Sequence, residues 1–228
     1  MKKLLIINPN SSPEMTADIR RTVSYAEDGD FTLEVRATEG APHVLESFAD
    51  YTEAGAHVIA HLRSQPAPFP YDGVLLACMG DPCLFAVKEV CPVPLVGIAE
   101  AGISTALLLG AKFSILAASA KAKPMMESMV LSYGLMDRLA SVETFDRPID
   151  DFMADPEVLR QGIRRTAETA AQKGAEVLLL GCAGMTMLSN ELGTLAPLPI
   201  IDPIKAGVEQ LKGILRGGFA VSRAGLYK

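Results

Sequence analysis

Val74-Leu75-Leu76-Ala77-Cys78-Met79-Gly80-Asp81 and Leu178-Leu179-Leu180-Gly181-Cys182-Ala183-Gly184-Met185 are the two stretches that decide the fold. Each is an aliphatic run that closes on a cysteine and passes into a small-residue turn. The segment that follows repeats too: Val93-Pro94-Leu95-Val96-Gly97-Ile98-Ala99-Glu100-Ala101-Gly102 reads like Leu198-Pro199-Ile200-Ile201-Asp202-Pro203-Ile204-Lys205-Ala206-Gly207. Cys78 and Cys182 are 104 residues apart, Pro94 and Pro199 are 105 apart. Two matches at nearly one offset imply two pseudo-symmetric halves, and so long a period excludes a solenoid.

Working outward, further short apolar runs lie at Leu4 to Asn8, Phe31 to Ala37, Phe113 to Leu116 and Pro199 to Ile201. Near-continuous apolar runs are what a parallel sheet covered by helices on both faces requires. Helix starts stand between them. Ser12-Pro13-Glu14 and Asp155-Pro156-Glu157 each offer a capping side chain, a first-turn proline and an acid. The second helix runs to a C-terminal glycine at Lys173-Gly174. Pro66-Ala67-Pro68-Phe69-Pro70 is a stiff surface connector. The alternation predicts an α/β fold of two pseudo-symmetric lobes, each a mainly parallel sheet flanked by helices, with the active site in the cleft between them. Residues 1–98 with 206–228 are assigned to an N-terminal lobe, 99–205 to a C-terminal lobe.

The chain has 228 residues, 49% of them hydrophobic, which supports a large core without disulfide or metal staples. A net charge of −6 leaves no basic stripe for nucleic acid. No apolar stretch is long enough for a bilayer. Met1-Lys2-Lys3 before Leu4-Leu5-Ile6-Ile7 looks like a signal peptide, but the run stops at Asn8-Pro9-Asn10 without a cleavage site and reads as a strand. A cytoplasmic protein with four free thiols is expected. The apolar fraction also points to a homo-oligomer.

Cys78 and Cys182 hold equivalent places at strand ends, where α/β sheets bind ligands. Either cysteine alone reads as a buried small hydrophobe. The equivalent pair reads as chemistry, with helix N-termini nearby to favour thiolate. A thiolate on one side removes a proton from a carbon next to a carbonyl, and a thiol on the other returns one to the opposite face, inverting the centre. Backbone N–H groups at Gly80 and Ala183-Gly184 are candidate donors to the enolate. No metal or organic cofactor is needed.

At these residues the sequence resembles the aspartate/glutamate racemase superfamily, and within it the hydantoin and allantoin racemases. Ile6-Ile7-Asn8-Pro9-Asn10-Ser11-Ser12 resembles that family's opening. Cys78-Met79-Gly80-Asp81-Pro82 and Gly181-Cys182-Ala183-Gly184-Met185 match its two cysteine motifs, and Glu39-Gly40-Ala41-Pro42 its loop after the second strand. The resemblance implies a racemase of a hydantoin-type cyclic amide with Cys78 and Cys182 as the acid/base pair. It implies that Asn8 and Ser11 contact substrate and that the turns with Met79, Gly80 and Asp81, and with Ala183 and Gly184, hold its carboxylate or ring carbonyls. Where the family usually has two hydroxyl residues, this chain has Ala117-Ala118-Ser119-Ala120-Lys121, keeping one at Ser119 as a substrate contact. Arylmalonate decarboxylases of the superfamily keep only the cysteine matching Cys182, so two thiols point towards racemisation or isomerisation. Amino-acid racemisation and maleate-isomerase-like or decarboxylase-like chemistry stand as alternatives, a non-catalytic carboxylate binder as another.

Other features carry blander readings. Cys83 and Cys91 read as packing cysteines, since no histidine is near and C-x4-C is not a zinc spacing. Glu53, His57 and His61 share a helix face and read as solvated. His43, in the loop after the second strand, is a candidate specificity contact or a surface histidine. Met125, Met126 and Met129 read as helix packing, with an entrance lining as the lesser alternative. Phosphate-loop and dinucleotide fingerprints are absent.

Overall fold

Leu4, Leu5, Ile6 and Ile7 offer no polar face to water, so the strand they form must be covered on both sides. A computed structural model of the chain describes residues 1–147, 151 and 154–227. In it these four side chains are buried in β1 (Lys2–Asn8), at the interior of a four-stranded parallel sheet. Its neighbours are β2 (Phe31–Ala37) on one side and β3 (Gly73–Leu76), then β4 (Leu95–Gly97), on the other. The second half repeats the plan. β5 (Phe113–Ala117) is flanked by β6 (Leu139–Thr144) on one side and by β7 (Val177–Leu180) and β8 (Ile200–Ile201) on the other, again all parallel. The order 2-1-3-4 is thus used twice, and the two lobes expected from the repeat are there.

β6 has no counterpart among the expected strands. Leu-Ala-Ser-Val-Glu-Thr lacks a continuous apolar run because it is an edge strand with half-exposed positions. β1 begins two residues before the expected Leu4. Lys2 reaches the Leu215 carbonyl and Lys3 lies over the Tyr71 ring, so both lysine stems extend a buried strand while their ammonium groups stay partnered.

Helices α1 (Pro13–Val23), α2 (Phe48–Arg63) and α3 (Leu84–Val90) belong to the first half. α4 (Ile98–Leu109) crosses to the second, which has α5 (Ala122–Ser132), α6 (Pro156–Gln172), a short α7 (Leu192–Leu195) and the closing α8 (Pro203–Arg216). The caps follow the sequence grammar. Ser12 Oγ accepts from the Met15 N–H at 3.2 Å and Asp155 from Glu157 at 2.9 Å, each with proline next. Gly174 follows α6 at φ +89°, a left-handed position that only glycine adopts without strain.

The repeat-equivalent glycines show how the halves lock. A Cβ at Gly102 of α4 would lie 2.6 Å from Leu179 of β7. A Cβ at Gly207 of α8 would lie 2.6 Å from Leu75 of β3. The helix after β4 therefore packs on the second sheet, and the helix after β8 packs back on the first. No helix of the described residues is long and apolar enough to cross a membrane.

Candidate active site

Parallel strands end together, so whatever follows β1, β3, β5 and β7 gathers at one edge of each sheet. Register makes the two edges comparable. Ile7 pairs with Leu76 in the first sheet, Leu116 with Leu180 in the second. Two residues past each β3-type strand stands a cysteine; three past the paired central residues stand Asn10 and Ser119. Cys78, Cys182, Asn10 and Ser119 all line one cavity between the halves, together with Met79, Gly80 and Ala183.

The Gly80 N–H and the Tyr51 hydroxyl lie near the Cys78 sulfur and favour its thiolate. The sulfur of Cys182 accepts from the Gly184 N–H at 3.4 Å, at the start of the 3-10 turn Ala183–Leu188. The expected helix-start donor thus exists for Cys182. Cys78 instead lies six residues ahead of α3. In the resting site the Gly80 and Gly184 N–H groups, expected to face an enolate, lie by the thiols. Burial dominates the electrostatics, contrary to the expected thiolate preference. It pushes the Cys78 thiol up to about 12 and the Cys182 thiol up to about 11, against the pull of the N–H donors.

Tyr51 of α2 is the neighbour that sequence reasoning missed. It lies over Gly80 so closely that a Cβ there would fall 2.1 Å from the phenolic oxygen. Burial raises its hydroxyl well above the usual range, and both cysteines add to that. Glu46 and Leu45, just before α2, also line the cavity, as do Met125 and Met126 of α5. Both methionines are buried, so they serve packing and lining at once.

The remaining expected contacts lie elsewhere. Asn8 is fully buried, holding Asn10 Oδ1 at 2.7 Å and Thr16 Oγ1 at 2.9 Å. It therefore orients Asn10, which does face the cavity. Ser11 does not line the cavity; its N–H donates to the Pro42 carbonyl at 3.0 Å. His43 is exposed and lies near Glu14. Gly184 does not line the cavity; its N–H is held by the Cys182 sulfur. Asp81 does not line the cavity; its carboxylate turns to the start of α4 and to Tyr133 after α5, accepting from the Ala99 and Glu100 N–H groups and the Tyr133 hydroxyl. Cys91 is buried as expected, whereas Cys83 is exposed, its sulfur against Gly55. His57 sits under Gly40 and His61 contacts Gln65, so that helix face is half-buried rather than fully solvated. Among the described residues no three His, Cys, Asp or Glu side chains gather as a metal site needs.

A family model described as Asp/Glu/hydantoin racemase matches residues 4–211. A hydantoin racemase of Pseudomonas sp. (strain NS671) is 33% identical over 227 residues, covering 99% of this chain and 91% of the relative. A hydantoin racemase of Paenarthrobacter aurescens is 31% identical, covering 99% and 96%. Among solved structures, allantoin racemase from Klebsiella pneumoniae superposes with a TM-score of 0.93 at 25% identity, covering 100% of this chain and 93% of that one.

Proposed function

The chain belongs to the Asp/Glu/hydantoin racemase family, and from that premise we propose that Cys78 and Cys182 racemise a hydantoin-type cyclic amide by proton abstraction and return. The observation that carries this is the pair of repeat-equivalent thiols lining one cavity. One cysteine, as thiolate, takes the proton from the carbon next to the ring carbonyl. The electron pair moves into that carbonyl as an enolate. The other cysteine, as thiol, gives its proton to the opposite face. The product is the mirror-image substrate, and the two sulfurs have exchanged protonation states, so the next turnover of the other enantiomer runs in reverse. Met79, Gly80 and Ala183 frame the substrate, and Asn10 and Ser119 supply polar contacts at equivalent positions. Thiols and these donors suffice, without a metal or organic cofactor.

The cavity wall favours a neutral ring over an amino acid. Among the described residues lining it there is no lysine, arginine or histidine, and Glu46 is acidic. A dicarboxylate would meet no cation there, whereas a cyclic amide offers carbonyls and N–H groups to neutral partners. Polarimetry tests this on 5-monosubstituted hydantoins, allantoin, aspartate and glutamate. Optical rotation of a cyclic amide should decay to zero; decay with the amino acids alone would overturn the assignment.

The lobes are read as 1–98 with 206–228 and 99–205, and the protein as a cytoplasmic homo-oligomer. Leu108, Leu109 and Leu131 are exposed apolar side chains that a partner copy would cover. Light scattering at micromolar concentration should give a mass above one chain.

A further inference from the structure

The two halves dock their cysteine turns with a carboxylate in the same place, but take it from different positions in the chain. In the second half the carboxylate is Asp202, at the end of β8. It accepts from the Ile204 N–H at 2.8 Å and the Lys205 N–H at 3.3 Å at the start of α8. It also accepts from the hydroxyl of Thr186, in the turn that follows Cys182. The residue matching Asp202 in the first half is Gly97, which has no side chain to do this. A Cβ built on Gly97 would fall 2.3 Å from Asp81 Oδ1 and 2.4 Å from Asp81 Cγ. Asp81 therefore fills the space that the missing side chain leaves. It accepts from the Ala99 N–H at 3.1 Å and the Glu100 N–H at 2.8 Å, the matching amides of α4, and from Tyr133 Oη at 2.7 Å.

The turn is fixed by the same group. The Asp81 N–H donates to the Cys78 carbonyl at 3.0 Å, and Asp81 stands at φ +42°, a conformation costly for a residue with a side chain. The carboxylate bonds offset that cost and hold the turn whose Gly80 N–H lies near the Cys78 sulfur. We propose that Asp81 and Asp202 are equivalent positioning residues, each clamping its cysteine-bearing turn to the helix behind it, and that Asp81 and Gly97 are an exchanged version of the Asp202 arrangement. The inference deepens the two-cysteine reading and rests on it only for catalysis.

Exchanging the two residues tests it, with wild type, Asp81→Gly, Gly97→Asp and the double variant Asp81→Gly/Gly97→Asp in the full chain. Melting temperature and the iodoacetamide labelling rates of Cys78 and Cys182, resolved by peptide mass spectrometry, are measured for each. Asp81→Gly leaves two helix amides unpaired, one buried and one half-buried, and frees the turn, so it should melt about 5 °C lower or more. Its Cys78 should label about tenfold faster, with Cys182 unchanged. Gly97→Asp should melt lower too, from overlap and from two carboxylates in one space. The double variant should recover most of the melting temperature and the slow labelling of Cys78. Losses that merely add in the double variant would overturn the exchange. Recovered melting with Cys78 still labelling fast, or a Cys78 rate that Asp81→Gly never changes, would make Asp81 a stability residue and overturn positioning. If Asp81→Gly does not fold, Asp81→Asn should raise Cys78 labelling in the same sense, and an unchanged rate would count against the clamp. Labelling and melting need no turnover. A wild type that racemises nothing would sink the substrate assignment while these readouts still decide the clamp.

Discussion

Serine at either cysteine should separate the two half-reactions. A hydroxyl is too weak an acid to be a base near neutral pH and returns a proton poorly. Cys182→Ser should lower racemisation by several orders of magnitude in both directions, since each direction uses both groups. Cys78 would still take the proton from its own enantiomer and give it back. In deuterated water that enantiomer should exchange its α-hydrogen with retained configuration and the other should not, with Cys78→Ser giving the mirror pattern. Equal exchange of both enantiomers would mean that one base serves both faces. The raised thiols set the pH dependence. The active pair has one proton, and the resting pair has two until the first thiol ionises near 11. kcat/KM should therefore rise about tenfold per pH unit through the alkaline range below that value. Stability moves the other way. A thiol ionises near 8.5 when unfolded and higher when folded, so the folded state keeps protons that the unfolded state has lost. That contribution is complete below about pH 8.5 and fades as pH rises towards 11–12. Denaturation as a function of pH should show the fall, and Cys78→Ala should blunt it. The cysteines were legible because they recur at one offset; Tyr51 was not, because its role depends on a ring from α2 lying over Gly80. Asn10 and Ser119 take equivalent places at the cavity only through the register of their strands. Asn8 and Asp81 look like ligands in a motif, but their polar atoms are consumed by Asn10, Thr16 and the start of α4.

Among the elements, α4 and α8 bear the symmetry. Each presents a glycine to a leucine of the opposite sheet, Gly102 to Leu179 and Gly207 to Leu75. Valine at either position must push that leucine aside in a filled core, at a cost of about 1–3 kcal/mol. The two losses should agree within about 1 kcal/mol, since the seats are equivalent and far enough apart to act independently. Urea melts of Gly102→Val and Gly207→Val would check this; a loss at one site only would show that just one seat is close-packed. The repeat that predicts this pairing was visible as Ala101-Gly102 against Ala206-Gly207. Elements with strong apolar runs or capping side chains were readable for the same reason that they are stable: burial on both faces and a satisfied first turn. β6 escaped because Ser141 and Glu143 interrupt its apolar run. Their partners are tertiary, with the Ser141 hydroxyl 2.8 Å from that of Ser114 and Lys173 2.7 Å from Glu143. No local pattern announces such contacts.

For the molecule as a whole, the crossing of these two helices makes each sheet depend on the other half of the chain. α8 covers β3 with residues that follow β8, and α4 reaches β7 with residues that precede β5. Ile204, Val208 and Leu211 share one buried core with Leu4, Ile6, Leu75, Ile115 and Leu179. α1 adds a further tie, its Thr22 hydroxyl bonded to the Thr186 carbonyl in the turn after Cys182. Uncovering either sheet would expose the inner face of both helices, so partial unfolding of one half saves little entropy and loses apolar burial in both. The two sheets are therefore expected to open together. Peptide-resolved hydrogen exchange should give β1 and β3 the same opening free energy as β5 and β7, within about 1 kcal/mol. Cys78 and Cys182 would then lose their shared cavity in one step, with no state in which one cysteine turn is folded and the other is not. A sheet that exchanges through a distinctly cheaper opening would show that the halves unfold independently, and that the helix crossing joins them without coupling them.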